Sequence, residues 1–208
     1  MGPGLRRDER DFWAGGAGVC NKYGYNAPHH RLREIFGQLQ LPFRWPDAAP
    51  NLEPLEEINP TDPAPIVRPY EDGVRLDQLR WGFPPPRPKA GPVINFRSEG
   101  RRLTHGRCLA PATHFFEFTG TKYPKTRWRC TVDGEEVFCF AGLVRDDRFT
   151  LLTCEPGPDI APLHDRQVVI VEPADWREWL TSDSDVGHLL RPAPAGHIKV
   201  EQVTSQKA

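Results

Sequence analysis

The stretch Ile94-Asn95-Phe96-Arg97-Ser98-Glu99 predicts a short strand with a polar face in an otherwise apolar surrounding. Successive side chains of a strand point to opposite faces, so Asn95, Arg97 and Glu99 share one face. Phe96 points to the other. An amide, a guanidinium and a carboxylate are costly to bury unless polar groups lie opposite them. The pattern therefore predicts that polar partners from elsewhere in the fold meet this strand.

A second strand is predicted a few residues downstream, where Arg107-Cys108-Leu109-Ala110-Pro111 is followed by Phe115-Phe116-Glu117-Phe118. A carboxyl group enclosed by phenylalanines should have a raised pKa and could exchange protons near neutrality. The alternative interpretation is that Asn95 and Glu117 are hydrogen-bonded core residues with no chemistry, since unusual carboxylates mark active sites only statistically.

Length and composition indicate a single domain with a sizeable core, because the chain has 208 residues. The net charge of −1 gives no general attraction to nucleic acid, so any polyanion must meet a local basic patch. Such a patch is predicted where arginines cluster around His105, at Arg97, Arg101, Arg102 and Arg107. The 23 prolines argue against long helices.

Several classes of protein are excluded by what the sequence lacks. No apolar run approaches the roughly 18–20 residues that span a bilayer, and the first twenty residues have no apolar signal-peptide core. Five cysteines without a CxxC pair argue against a disulfide framework and favour a reducing cytoplasm. We expect no metal, no cofactor and no membrane contact, and we expect a monomer.

Hydrophobic periodicity predicts many short strands and two modest helices. The helices are predicted over 28–39 and, starting at a proline, over 173–180. A hairpin is predicted around Glu71-Asp72-Gly73, and further strands over 126–132, 137–144, 149–154, 168–171 and 197–203. With no βαβ alternation, this pattern indicates an α+β fold: one β-rich domain with a barrel-like mixed sheet and a few short helices.

Residues 1–19 are predicted to be a disordered leader or a mis-assigned start, with the domain spanning 20–208. We favour a false upstream start, with the codon of Val19 as the initiator, over a genuine propeptide. If Cys20 is the first residue of the mature protein, it carries an α-amine beside a thiol. Such a 1,2-aminothiol condenses with an aldehyde to a five-membered thiazolidine, and both groups are nucleophilic near neutral pH. An internal cysteine cannot react in this way.

Three polar side chains from distant segments would support this chemistry. Asn95 has an amide that could hold the amine, and Glu117 has a carboxylic acid that could move protons. His164 has an imidazole that could protonate the leaving oxygen.

Six motifs in order resemble those of the SOS response-associated peptidase (SRAP) family. They are Cys20-Asn21, Asn59-Pro60-Thr61, Trp81-Gly82-Phe83-Pro84, Ile94 to Glu99, Arg107 to Pro111 with Phe116-Glu117-Phe118, and His164-Asp165-Arg166. The resemblance extends over Cys20 to Leu180. Three departures stand out: Gln167-Val168 replaces a Met-Pro pair, phenylalanines replace the Tyr and Trp beside Glu117, and Lys22 replaces an arginine.

The resemblance implies a DNA damage response protein that binds single-stranded DNA in a basic cleft. It implies capture of abasic sites as a thiazolidine crosslink, after removal, by autoproteolysis or otherwise, of whatever precedes Cys20. Cys20 would be the nucleophile, Asn95 would hold its amine, Glu117 would shuttle protons, and His164 would assist sugar ring opening and crosslink reversal. The implied DNA-binding residues are Lys22, Trp81, Phe83, Pro84, Arg97, Arg101, Arg102 and Arg166.

Two other functions remain open at the level of sequence. One is a thiol peptidase that uses Cys20 with His164 and Glu117, and the other is a non-covalent single-stranded-DNA binding module with an inert, buried cysteine. The aromatic pair Trp81 and Phe83 also allows two interpretations. Exposed rings beside prolines would stack on bases, whereas from the residues alone burial in the core is the favoured interpretation.

Overall fold

The computed structural model describes residues 19–45 and 54–203, with the side chain of His29 excepted. Apart from Val19, the predicted leader lies outside the described residues. The predicted core domain is described from Cys20 to Val203 except for residues 46–53.

Short strands dominate the described chain, as the periodicity predicts. The two α-helices are α1 (His29–Gly37) and α2 (Trp176–Thr181), and single 3₁₀ turns lie at Pro173–Asp175 and Gly187–Leu189. The strands are β1 (Tyr23–Tyr25), β2 (Phe43–Arg44), β3 (Leu55–Ile58), β4 (Pro63–Tyr70), β5 (Gly73–Trp81), β6 (Asn95–Arg97), β7 (Arg107–Ala112), β8 (His114–Thr119), β9 (Thr126–Val132), β10 (Phe138–Arg145), β11 (Arg148–Cys154), β12 (Gln167–Val168), β13 (Ile170–Val171) and β14 (Ile198–Val203).

Two sheets form the body of the domain. The smaller has the order β14-β9-β8-β1-β3, and the larger runs β12-β11-β10-β7-β4-β5-β2, with β13 on β10 and β6 on β11. The start of β11 also pairs in parallel with the end of β5 over two residues, so the larger sheet curls back toward itself. The β-rich α+β class with a barrel-like mixed sheet is thereby confirmed.

Turn residues and a proline in the sequence account for the β4–β5 hairpin and for the start of the second helix. The hairpin between β4 and β5 turns at Tyr70–Gly73, where the sequence has its Glu-Asp-Gly turn. The predicted helix over 173–180 is instead a 3₁₀ turn at Pro173–Asp175 that continues into α2. Proline suits such a start because it has no N–H to leave unpaired. No helix of the described residues is long and apolar enough to cross a membrane.

Aromatic rings fill the space between the sheets beside β1. The Tyr23 ring meets Trp81 edge-on at 5.0 Å between centroids and Phe140 at 5.6 Å. Phe115, which pairs with Tyr23 across β1 and β8, meets Phe140 at 5.7 Å. Edge-to-face packing of this kind adds stability beyond the buried area, and it fixes the position of the chain that leads out of Cys20.

We predict that Gly24 in β1 tolerates no side chain. A Cβ at Gly24 would lie 2.3 Å from Cε1 of His114 and 2.6 Å from the Glu56 carbonyl oxygen. Gly24→Ala should therefore lower the free energy of unfolding by about 1–3 kcal/mol, the usual cost of overpacking, in urea denaturation. Gly37→Ala is the control, because a Cβ there meets nothing within 4 Å and alanine favours helix. Equal stability of the two variants would contradict the prediction.

Candidate active site around Cys20

Three segments far apart in sequence meet at the start of β1. Cys20 lies just before this strand, and Glu117 lies on β8, which pairs with β1 through Tyr23 and Phe115. Asn95 begins β6, which lies parallel to β11 and comes from the other sheet. The site therefore forms only where the two sheets come together.

Direct hydrogen bonds link the side chains of Glu117 and Asn95 to the backbone at Cys20. The Cys20 backbone N–H donates to Oε1 of Glu117 at 3.1 Å. The Nδ2 of Asn95 donates to the carbonyl oxygens of Val19 and, at 3.3 Å, of Cys20. The structure thus brings Cys20, Asn95 and Glu117 together as the sequence predicts.

Burial controls the protonation of this site. Glu117 is 2% exposed, and this desolvation raises its pKa to about 8, although the hydrogen bond from the Cys20 amide acts in the opposite direction. Desolvation also raises the pKa of the Cys20 thiol, and the nearby Glu117 carboxylate raises it further. Near neutrality Glu117 can therefore hold or release a proton, while the thiol stays protonated.

Two buried polar atoms beside Cys20 have no hydrogen-bond partner, namely Oδ1 of Asn95 and the hydroxyl of Tyr23. Leaving such a group unsatisfied costs roughly 1–3 kcal/mol. Each such group in a native structure calls for an explanation, of which a catalytic role is one. Oδ1 of Asn95 is thus an available acceptor next to the Cys20 backbone.

His164 lies in the loop that precedes β12. Its Nδ1 accepts a hydrogen bond from the Arg166 backbone N–H at 3.1 Å and lies 2.8 Å from Oδ1 of Asp165. Within the described residues, no hydrogen bond or ion pair joins His164 to Cys20, Asn95 or Glu117. The structure thus connects three of the four predicted catalytic residues directly.

Arg166 links the His164 loop to the end of β6. Its guanidinium forms a two-point ion pair with Glu99, with Nη2 at 2.8 Å from Oε2, and donates to the Thr153 carbonyl at 2.8 Å. Burial opposes ionisation of Glu99, but the hydrogen bonds from Arg166 help to lower its pKa overall. That Arg166 contacts DNA stays a prediction, now for a guanidinium that already binds Glu99 and the Thr153 carbonyl.

The prediction that Trp81 and Phe83 stack on bases needs correction, because both rings are buried. Trp81 is fully buried, and its indole N–H donates to the Ile94 carbonyl at 2.9 Å. Phe83 is 4% exposed and has the Arg145 guanidinium 5.0 Å from its ring centre. Packing between the sheets turns both rings inward, and Trp81 supports the residue before Asn95.

The other predicted DNA-binding residues lie at or near the surface. Pro84, Arg97 and Arg102 are exposed. Arg101 is partly buried, with its guanidinium 5.0 Å from the Phe96 ring centre. Lys22 forms an ion pair with Glu57 at 2.6 Å.

Sequence reasoning missed three parts of this site. Arg127 shares Glu57 with Lys22, the Tyr23 hydroxyl is unpaired, and Glu99 pairs with Arg166. Of these residues, only Glu99 and Arg166 could have been singled out from the sequence, since both belong to motifs shared with the family. Among the described residues, no group of three or more His, Cys, Asp or Glu side chains could hold a metal ion.

Fold and site define a β-rich protein whose buried cysteine backbone is held between a carboxyl and a carboxamide group. The family model described as SOS response associated peptidase (SRAP) matches residues 19–207. The chain belongs to this family.

Relatives of this chain carry names that refer to abasic sites. The abasic site processing protein YoaM of Bacillus subtilis (strain 168) is 32% identical over 160 residues, covering 63% of this chain and 69% of YoaM. The abasic site processing protein YedK of Escherichia coli (strain K12) is 25% identical over 181 residues, covering 72% of this chain and 81% of YedK.

Solved structures show the same fold. A crystal structure of a Bacteroides thetaiotaomicron protein matches with a TM-score of 0.73 at 16% identity, covering 89% of this chain and 93% of that one. A Bordetella bronchiseptica protein matches with a TM-score of 0.69 at 22% identity, and the match covers 89% of this chain and 100% of that one. At these identities the likeness concerns the fold alone.

We predict that Glu117 makes the protein less stable as pH rises. Its pKa is about 8 in the folded state and about 4.3 in an unfolded chain, so the folded state binds more protons between these values. The free energy of unfolding should therefore fall from about pH 4.5 to 8, by at most about 1.4 kcal/mol per pH unit from this group. Urea denaturation across this range should show a smaller fall for Glu117→Gln than for the wild type, and equal slopes would refute the prediction.

We predict that Glu99 and Arg166 are energetically coupled. A double-mutant cycle with Glu99→Ala, Arg166→Ala and the double variant should give a coupling of about 1 kcal/mol in thermal or urea unfolding, at the upper end for partly exposed pairs. The geometry supports this value because the ion pair is bidentate and the Arg166 side chain is largely buried. As a comparison, the more exposed pair Arg191–Asp175 should give a smaller coupling.

Proposed function

We propose that residues 20–208 form a working SRAP domain that binds single-stranded DNA and captures abasic sites as a thiazolidine crosslink through Cys20. The residues before Cys20 must be absent from the active form. The observation that carries the proposal is the hydrogen bond from the Cys20 nitrogen to the buried Glu117, with Asn95 on the other side of the same residue. The names of the relatives support abasic DNA as the substrate.

The proposed reaction uses both nucleophiles of an amino-terminal Cys20. The α-amine attacks the aldehyde carbon of a ring-opened abasic site, water leaves, and an imine forms. The Cys20 sulfur then adds to the imine carbon while its proton passes to the nitrogen, which closes the thiazolidine ring. Glu117 lies beside that nitrogen, and a pKa of about 8 suits a group that both gives and takes protons near neutrality. His164 would assist opening of the sugar ring.

The surroundings of the Val19–Cys20 peptide bond support removal of the preceding residues by autoproteolysis. Asn95 donates to the Val19 carbonyl oxygen, and Glu117 lies at the Cys20 nitrogen, so polar groups contact both ends of this bond. Cys20 has φ +34°, a left-handed conformation that costs a non-glycine residue about 1–3 kcal/mol. The Cys20 thiol would attack the Val19 carbonyl carbon as its proton passes to the departing nitrogen, and water would hydrolyse the resulting thioester.

A general thiol peptidase is less well supported. Such enzymes need a thiolate with a lowered pKa and a base in contact with it. Burial raises the pKa of the Cys20 thiol, and within the described residues no hydrogen bond joins it to His164.

A basic surface next to β6 is the proposed path of the DNA. Arg97 is exposed and lies two residues from Asn95, so it could contact the phosphate beside the lesion. Arg101, Arg102, Pro84 and Lys22 would extend this surface.

A crosslinking assay tests the proposal. Protein beginning at Cys20, incubated with single-stranded DNA that carries one abasic site, should give a heat-stable shifted band on a denaturing gel. Cys20→Ala should abolish the band, and Glu117→Gln should slow its formation about a hundredfold, within the usual range for loss of a general acid–base. Cys139→Ala, at a buried cysteine of β10, is the matched control and should crosslink normally.

The same preparations separate the alternatives. Retained binding on a native gel without a covalent band would favour a non-covalent binding module. Intact-mass measurement of the purified full chain should show loss of residues 1–19 for the wild type and their retention in Cys20→Ala. If both proteins keep these residues, autoproteolysis is ruled out, while the crosslinking proposal is judged separately on protein that begins at Cys20.

A further inference from the structure

We propose that the tip of the β8–β9 hairpin, residues 120–125, is a stacking site for an unpaired base of the bound strand. Tyr123 would provide the stacking surface, and Lys122 and Lys125 would contact the adjoining phosphates. This inference deepens the proposed function, because it assumes that the DNA bound at Cys20 is single-stranded.

Tyr123 is the one large hydrophobic side chain among the described residues that is strongly exposed, at 96%. A single exposed hydrophobic residue is ordinary on a protein surface, so the exposed ring alone would not indicate a binding site. Its setting is less ordinary, since the whole tip from Gly120 to Lys125 is exposed. Both faces of the ring are thus open to a planar ligand.

The charge of the hairpin points to a polyanion. Residues 118–132 contain Lys122, Lys125, Arg127 and Arg129, and no Asp or Glu. Arg127 forms an ion pair with Glu57 at 2.5 Å, and Arg129 lies opposite Glu201 on β14. In the described part of the chain no ion pair involves Lys122 or Lys125, so the two charges beside Tyr123 remain available.

The hairpin joins this tip to the candidate active site. Glu117, which binds the Cys20 nitrogen, lies on β8, and Tyr123 follows it by six positions in the tip of the same hairpin. At about 3.3 Å per residue, the tip can lie at most about 20 Å from Glu117. The Trp128 indole N–H donates to the Thr119 hydroxyl at 2.8 Å, which fixes the base of the hairpin. A strand held at Cys20 could therefore reach the tip within a few nucleotides.

Single-stranded DNA fits this surface better than the alternatives. Every unpaired base has a face that can stack on an aromatic ring, and lysines bind the phosphates between bases without sequence preference. In duplex DNA the base faces are covered by their neighbours. An acidic peptide would use the lysines but would gain less from an open tyrosine face.

Binding of an undamaged oligonucleotide by the full chain tests this site. With fluorescein-labelled oligothymidylate of 20 nucleotides and anisotropy as the readout, Tyr123→Ala should weaken affinity about fivefold to a hundredfold, as the loss of one stacked base does. Tyr123→Phe should stay within about twofold of the wild type, because it keeps the ring. The double variant Lys122→Gln/Lys125→Gln should reduce the slope of log affinity against log salt by about 1.4.

Lys199→Gln is the matched charge control. It removes one positive charge at the other end of β9, where Lys199 lies opposite Thr131 and pairs with Asp133, and its salt slope should equal that of the wild type. Wild-type affinity in Tyr123→Ala, or no binding by the wild type, would overturn the stacking site. Binding of polyglutamate that depends on Tyr123, with unchanged DNA affinity, would assign the tip to a protein partner instead.

Failure of the proposed function has a different signature. If oligothymidylate binding depends on Tyr123 while protein beginning at Cys20 forms no crosslink with abasic DNA, the hairpin site stands and covalent capture falls. If the crosslink forms and the tip variants bind like the wild type, only the hairpin assignment is wrong.

Discussion

The buried hydrogen bond between the Cys20 nitrogen and the Glu117 carboxyl group is the interaction on which the rest of the site depends. It exists because β1 and β8 pair through Tyr23 and Phe115 and bring residues 97 positions apart into contact. The same burial that excludes water from this bond raises the pKa of Glu117 to about 8. Strand pairing thus sets the position of the carboxyl group, and its burial sets its protonation.

The opposite side of the site is held by a different set of contacts. β6 has only three residues and lies on β11, so it needs support from outside its own strand pairing. The Trp81 indole holds the carbonyl of Ile94 on one side, and the ion pair between Glu99 and Arg166 holds the other end. These contacts fix Asn95, and they explain why Trp81, which was expected to stack on a base, packs in the protein interior instead.

Much of this arrangement could be predicted from residue patterns. Strand alternation placed Asn95 and Arg97 on one face, and three phenylalanines around Glu117 predicted its raised pKa, which the structure supports. The inward position of Trp81 could not be settled, because an aromatic ring beside prolines fits a core as well as a surface. The partner of Arg166 could not be predicted either, since a free and a paired arginine look alike in sequence.

The sequence by itself determined the β-rich class, the family and the polar residues that gather at Cys20, because alternation and ordered motifs are local properties of the chain. Only the tertiary structure decided which of those residues touch. Pairing of distant strands, and not proximity in the chain, sets the distances from Cys20 to Glu117 and Asn95. Within the described residues no hydrogen bond joins His164 to them, and its Nδ1 instead accepts one from the Arg166 backbone. Burial, which decides whether a ring packs or a carboxyl group keeps its proton, is likewise a property of the assembled sheets.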